Sequence, residues 1–216
     1  EFVSCAYKLQ IAHSPGAPLF VMLAHLFTML ASGPAKVALM VNYYSAIMGG
    51  LCALFTFWAG TALGKKILAS KGIELKLDQI IAIMGCGIVA ALATTFSDSN
   101  WFSAVEGEVY ASSSFFTALV FWAILKWDEH ADEPFADRWL VFIAYMMGLS
   151  IGVHLLNLLT IPALVFVYYF RKTENITRWG VIKTFLIAVG LLGFVQYGII
   201  SGLPKLALNF DILFVN

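Results

Sequence analysis

Between Val37 and Gly64 the chain carries no charged residue and no histidine. As a helix, that stretch is roughly 42 Å long at ~1.5 Å per residue, more than the ~30 Å core of a bilayer. A rod apolar on every face needs lipid or a large protein interior around it. Five further apolar runs follow: Ile80–Phe96, Val109–Lys126, Trp139–His154, Leu158–Phe170 and Trp179–Ile200. Composition agrees, with 61% hydrophobic and 12% charged residues against about 25% charged in soluble domains. The pattern predicts an all-α integral membrane protein, a polytopic helical bundle with about six spans over residues 37–200. Residues 1–36 read as an outer loop. It holds a short amphipathic helix, on which Phe2, Ala6, Leu9 and His13 share a face, and a re-entrant or interfacial helix over Pro18–Ala31, interrupted by His25. Residues 201–216 open the next outer segment. The chain starts at Glu1 and ends at Asn216 in mid-pattern, so it is expected to be a fragment, with at least one span before it and more chain after it.

Charge placement orients the spans. Placing the Lys65–Lys76 loop in the cytoplasm and alternating puts Lys65, Lys66, Lys71, Lys76, Lys126, Arg138, Arg171, Lys172, Arg178 and Lys183 inside. Lys8, Lys36 and Lys205 fall outside. This bias obeys the positive-inside rule. The zero net charge and the lack of a basic stripe point away from nucleic acid. Cys5, Cys52 and Cys86 show no metal or redox spacing, and Cys52 and Cys86 read as packing residues. No GxSxG, HExxH or Walker loop occurs, which argues against hydrolases of those classes and a nucleotide-driven pump. The acidic run Asp128–Glu133 reads as a solvated loop.

The same topology collects Glu1, His13, Asp98, Glu106, Glu108, His154 and Asn157 on the outer face. The densest part is Ser97–Tyr110, with Asp98, Glu106 and Glu108 between two apolar spans. A carboxylate at the centre of a span costs about 2.5 kcal/mol or more, so acids here suggest an interface or a wet cavity. On a helix Glu106 and Glu108 would point about 200° apart. Glu108 would then share a face with Trp101, Ala104, Ala111 and Ser112, suited to lining a cleft. The plainer readings are a helix-capping Asp98 and an acid that favours the dipole of the following span. His13 stands before Ser14-Pro15-Gly16, where a rigid turn could hold it against phosphate, metal or a proton. His154 and Asn157 are three apart on one helix face; packing and capping explain them equally well.

Two stretches resemble a known family. Glu1-Phe2 followed by His13-Ser-Pro-Gly-Ala-Pro-Leu-Phe20 is similar to the first outer loop of the DUF2723 family, with its H-P-P-G-x-P-L-F turn. Phe96–Tyr110 is similar to its second outer motif, and Gly148–Asn157 to a third. Ser14 stands where that family often has Pro. The family is similar to the protein O-mannosyltransferases and belongs with the GT-C glycosyltransferases. The resemblance implies transfer of a sugar, mannose or a similar hexose, from a polyprenyl-phosphate-linked donor to a protein Ser/Thr hydroxyl on the non-cytoplasmic face. The host membrane would be a bacterial inner membrane, or the endoplasmic reticulum in a eukaryote. By that resemblance Glu1 matches the acid of the first loop, and Glu108 the acid before Val-Tyr. Glu1, or an acid preceding it, is expected as the base. Glu108 would bind sugar hydroxyls or a divalent metal, with no other cofactor. His13, Lys8 and His154 would face the leaving phosphate; Glu106, Asn157, Trp101 and Asp98 would complete the substrate site. The rivals are a transporter or flippase, which predicts acids at mid-membrane, and a non-catalytic anchoring subunit, which predicts an apolar outer groove.

Overall fold

The computed structural model describes residues 1–13, 16–68 and 75–215. Ser14, Pro15, Lys71 and Asn216, which figured in the sequence reading, lie outside them. Among the described residues all regular structure is helical. The chain divides into two compact units, Glu1–Asn157 and Leu158–Asn216.

The first unit begins with α1 (Phe2–Lys8) and α2 (Pro18–Thr28). Helix α1 stops earlier than its apolar spacing suggests. Leu9 adopts a left-handed conformation at φ 51°, and the Gln10 N–H donates to the Cys5 carbonyl at 2.9 Å. This is a Schellman-type end without its usual glycine, at a backbone cost of about 1–2 kcal/mol. The chain turns back there, so His13 is not on the α1 face. Helix α2 is about 16 Å long by its 11 residues, short of the ~30 Å hydrocarbon core. Phe20 packs edge-on against Phe2 and Tyr44 at 5.4 and 5.5 Å. His25 Nδ1–H donates to the Ala6 carbonyl at 2.8 Å and ties α2 to α1.

Helix α3 (Val37–Leu68) is the long apolar rod. It continues past Gly64 because Lys65 and Lys66 favour the negative end of the dipole. Helix α4 (Leu77–Thr95) crosses it where glycines permit close approach. A methyl added at Gly60 would lie 3.2 Å from both the Gly87 Cα and the Ala90 Cβ. Cys52 is buried, whereas Cys86 is exposed on α4 and is not the interior packing residue expected of it.

Helix α5 (Asp98–Val105) and α6 (Val109–His130) follow. Helix α6 runs one turn beyond Lys126, into the acidic stretch that composition assigns to a loop. Acids at a helix C-terminus oppose the dipole. Here Asp128 pairs with Lys66, and Glu129 with Lys65 and Lys126 at 2.7 Å each. Helix α7 (Arg138–Ile151) has 14 residues, about 21 Å. It ends at Gly152, and the next turns bond at the tighter three-residue spacing, Val153 to Ser150 at 2.9 Å. His154 is therefore off the helix.

The second unit holds α8 (Thr160–Lys172), α9 (Arg178–Gly193) and α10 (Gly202–Val215). Pro162 and Pro204 each occupy a first turn, where no N–H donor is needed, so neither breaks its helix. A wide π-type stretch over Phe194–Ile200 joins α9 to α10, with the Ser201 N–H bonded to the Gln196 carbonyl at 3.2 Å. Five helical stretches among the described residues are long and apolar enough to cross a membrane: Pro34–Leu68, Leu77–Thr95, Val109–His130, Leu155–Lys172 and Arg178–Val215. Of the six expected, Trp139–His154 falls short in length.

Candidate functional site

Four segments of the first unit meet at one end of the bundle: the α1 start, the chain before α2, the α5–α6 link and the α7 exit. Glu1 caps α1 with its backbone carbonyl, leaving its carboxylate for His13. The His13 backbone N–H donates to Oε1 at 2.6 Å, and the ring Nδ1 bonds Oε2 at 2.9 Å. A carboxylate accepts only, so Nδ1 carries the hydrogen and Nε2 is left for another partner. The His13 backbone bond is the largest influence holding the Glu1 carboxyl below its ordinary value, with the ring bond adding to it. The His13 ring also packs on Phe2 at 5.4 Å.

Glu106, Gly107 and Glu108 are not helical. Glu106 and Glu108 are both extended, at φ −111° and −130°, and the Glu108 N–H donates to the Glu106 carbonyl at 2.8 Å. The 200° argument therefore does not apply, and Glu108 does not lie on a helix face with Trp101. Gly107 is what lets the link settle. A methyl there would lie 2.9 Å from Val3 and Val41 and 3.2 Å from the Asn42 side-chain oxygen. That close seat on α1 and α3 brings Glu108 within electrostatic range of Glu1 and His13. Burial is the largest influence on the Glu108 carboxyl and raises it above its ordinary value; Glu106 and Glu1 push the same way, against the amino terminus and His13.

Two residues on, the Tyr110 ring meets His154 at 5.5 Å. His154 Nδ1 accepts from the Leu156 N–H at 3.2 Å, so its hydrogen sits on Nε2 when neutral, and burial lowers the imidazole below its usual value. The α7 exit is fixed to the start of α2 by the main chain alone: the Leu19 N–H donates to the Gly152 carbonyl at 2.8 Å. Glu1 and His13 are hydrogen-bonded, Glu108 lies within electrostatic range of both, and Tyr110 brings the same segment to His154, with Glu106 exposed.

The other expected residues are placed differently. Asn157 is 1% exposed. Its side-chain oxygen accepts from Ser113 at 3.0 Å and Thr117 at 2.8 Å, clamping the α7 exit to α6. Asp98 is exposed in the first turn of α5, and Ser97 caps that helix, accepting from the Asn100 N–H at 3.4 Å. Trp101 is 54% exposed and stacked on Phe96 at 6.2 Å. Lys8 is exposed in the last turn of α1. No group of three His, Cys, Asp or Glu able to hold a metal occurs among the described residues, and both Glu1 oxygens are engaged by His13. Tyr110 and Gly107 escaped the sequence reading. Their signals were an aromatic directly beyond the second acid and a glycine between two acids.

A cavity of about 450 Å³ opens below this cluster, between α3 and α6. Thr56, Ser113, Ser114 and Thr117 give it hydroxyls, and Phe121 and Leu156 an apolar wall.

The helices of the described residues, five of them long and apolar enough to cross a membrane, define an all-α polytopic membrane protein. The chain belongs to the family described as the Protein O-mannosyl-transferase TMEM260 N-terminal domain, whose model matches residues 1–177. The likeness to protein O-mannosyltransferases seen in the outer motifs fits that family. Relatives include Protein O-mannosyl-transferase tmem260 of Dictyostelium discoideum, 24% identical over 95% of this chain and 24% of the relative. Protein O-mannosyl-transferase TMEM260 of Mus musculus is 26% identical over 95% of this chain and 27% of the relative. The chain thus spans about a quarter of their length. No solved structure matches it.

Proposed function

We propose that this chain forms the membrane-embedded site of a protein O-mannosyltransferase-like enzyme. It moves mannose or a similar hexose from a polyprenyl-phosphate donor to a Ser/Thr hydroxyl on the non-cytoplasmic face. The observation that carries the reading is the meeting of the Glu1–His13 pair, Glu108 and His154 at one end of the bundle. The names of the relatives support the reaction class. The Lys/Arg bias supports the side.

A Ser/Thr hydroxyl is a weak nucleophile and needs a base within reach. Both carboxylates stay in the proposal, with divided work. Glu1 is occupied by His13, and so holds that imidazole with Nε2 outward. Glu108 has no ion-pair partner among the described residues, and its raised pKa suits it to accept a proton. In the step, the acceptor oxygen bonds to the anomeric carbon while the bond from that carbon to the phosphate oxygen breaks. The hydroxyl proton passes to Glu108, and the electron pair leaves with the polyprenyl phosphate. His154 supplies an N–H donor to the departing phosphate through Nε2, and His13, whose Nδ1–H is held by Glu1, donates from Nε2 only in its doubly protonated form. The cavity between α3 and α6 gives the lipid-linked donor room beside the cluster.

A flippase or transporter would use acids at mid-membrane. Glu1, Glu106 and Glu108 all lie at helix ends, which disfavours it. The test is to incubate the full-length protein with radiolabelled polyprenyl-phosphate mannose and a Ser/Thr-rich peptide. Labelled peptide that disappears in Glu108→Gln supports the reading. Undiminished labelling in that variant removes Glu108 as base, and no labelling by the wild type removes the reaction.

A further inference from the structure

The far end of the same bundle carries a second cavity, of about 310 Å³, that the proposed reaction does not use. Its floor is aromatic and its rim basic. Trp58 of α3 and Trp122 of α6 lie 5.5 Å apart at 36°. Phe55 buttresses both at 5.2 Å, and Trp139 of α7 backs Trp122 at 5.8 Å. At the rim, Lys65 and Lys126 each donate to a different oxygen of Glu129, both at 2.7 Å.

That arrangement has two consequences. One carboxylate between two ammoniums leaves the rim with one positive charge in surplus. Each ammonium has three donors and gives one to Glu129, so two on each stay open. The carboxylate also holds the two ammoniums close together, which reduces the ordering cost of clamping one anion. A free anion would have no use for the tryptophans. A group with a phosphate at one end and hydrocarbon at the other uses both features. Tryptophan and lysine at a span end are the residues that settle at headgroup depth, and basic pockets between spans take anionic headgroups.

We propose that this cavity is a binding site for an anionic phospholipid of the leaflet opposite the Glu1–His13 cluster. Its phosphate is clamped by Lys65 and Lys126, and its glycerol and first methylenes lie on Trp58 and Trp122. The lipid joins α3 to α6 at one end as the Glu108 link joins them at the other.

The experiment uses the purified full-length protein in mixed micelles containing equal amounts of dioleoyl phosphatidylglycerol and dioleoyl phosphatidylcholine. Retained lipid is read by native mass spectrometry. Wild type should retain phosphatidylglycerol about 10-fold over phosphatidylcholine. Lys65→Gln with Lys126→Gln should bring that ratio to about 1, and the double arginine variant should restore it. Glu129→Gln, which frees both ammoniums, should raise the ratio and so tests the site even if the glutamine pair fails to fold. Lys8→Gln with Lys36→Gln should leave it unchanged. Equal retention of the two lipids by wild type, or no response to Glu129→Gln together with an unchanged ratio in the Lys65/Lys126 pair, overturns the proposal. Displacement of the lipid by millimolar inorganic phosphate alone also overturns it, because the tryptophan floor would then contribute nothing.

Discussion

At the Lys65 end of the first unit, Glu129 has two lysines, Asp128 has Lys66, and Glu133 has His130 at 2.8 Å. At the Glu1 end, Glu1 has a single histidine, and Glu106 and Glu108 have no ion-pair partner among the described residues. The same two helices, α3 and α6, reach both ends, so the contrast is not one of scaffold. It lies in whether the charge is spent. Paired acids finish a helix and cost little. Unpaired acids beside buried surface are held at a loss, which makes Glu108 a candidate for chemistry.

The comparison breaks first at Glu108. Glu108→Gln should lower transfer by about 10²–10⁴-fold without lowering the unfolding midpoint. The sign follows from the raised carboxyl. Its favourable contribution exists below the ordinary carboxylate value and is lost as pH rises through the raised one, so at neutral pH the amide removes a penalty. A fall in stability equal to the fall in activity would make Glu108 an ordinary packing group. Next comes His13→Ala, which should cost up to ~10²-fold in transfer through misplacement. The tie to Glu1 has the opposite pH sense, because that carboxyl is lowered. It holds above the ordinary carboxylate value and is lost as pH falls through the depressed one. Amide exchange at His13 should therefore stay slow at mildly acidic pH and speed up only in strong acid.

Structural changes should rank below these. Asn157→Leu deprives Ser113 and Thr117 of their acceptor and should cost about 1–3 kcal/mol in thermal or denaturant unfolding. Gly107→Ala pushes a methyl into Val3 and Val41 and should cost a similar ~1–3 kcal/mol, with a loss of transfer beyond that because Glu108 moves with it. Lys66→Gln, at the satisfied end, should leave transfer unchanged, with a stability cost limited by the 61% exposure of Lys66 but raised by Asp128 at 11%. A large effect there would erase the distinction between the ends.

Much of the fold was legible because lipid demands continuous apolar helices. The run from Val37 announced α3, and the 14 residues from Pro18 were short for a span. Boundaries were harder where long-range pairs decide them. Locally only the Lys126–Glu129 pair at i,i+3 favours helix there; Lys65 and Lys66, some sixty positions earlier, supply the rest of the reason. Of the candidate site, only residue types were legible in the sequence. Its geometry was hidden by two backbone events, the left-handed Leu9 that swings His13 back to Glu1, and the turn at Gly107 that removes Glu108 from any helix face. Asn157 carried the reverse lesson. An amide beside a histidine looks ready for substrate, yet its oxygen accepts from the hydroxyls of Ser113 and Thr117, one turn apart on another helix, which no spacing rule reveals.

The bond from the Leu19 amide to the Gly152 carbonyl runs from peptide to peptide. Side-chain identity at position 19 barely touches it, except that proline would delete the donor, whereas a methyl at Gly152 would lie 3.1 Å from the Leu19 Cβ and crowd the contact. The side chain at position 19 can therefore change while the two loops stay in register, like a hinge pin indifferent to the paint on the door, so long as position 152 stays small. A Leu19→Pro variant is the one point change aimed at the pin itself, and it should loosen both histidines together.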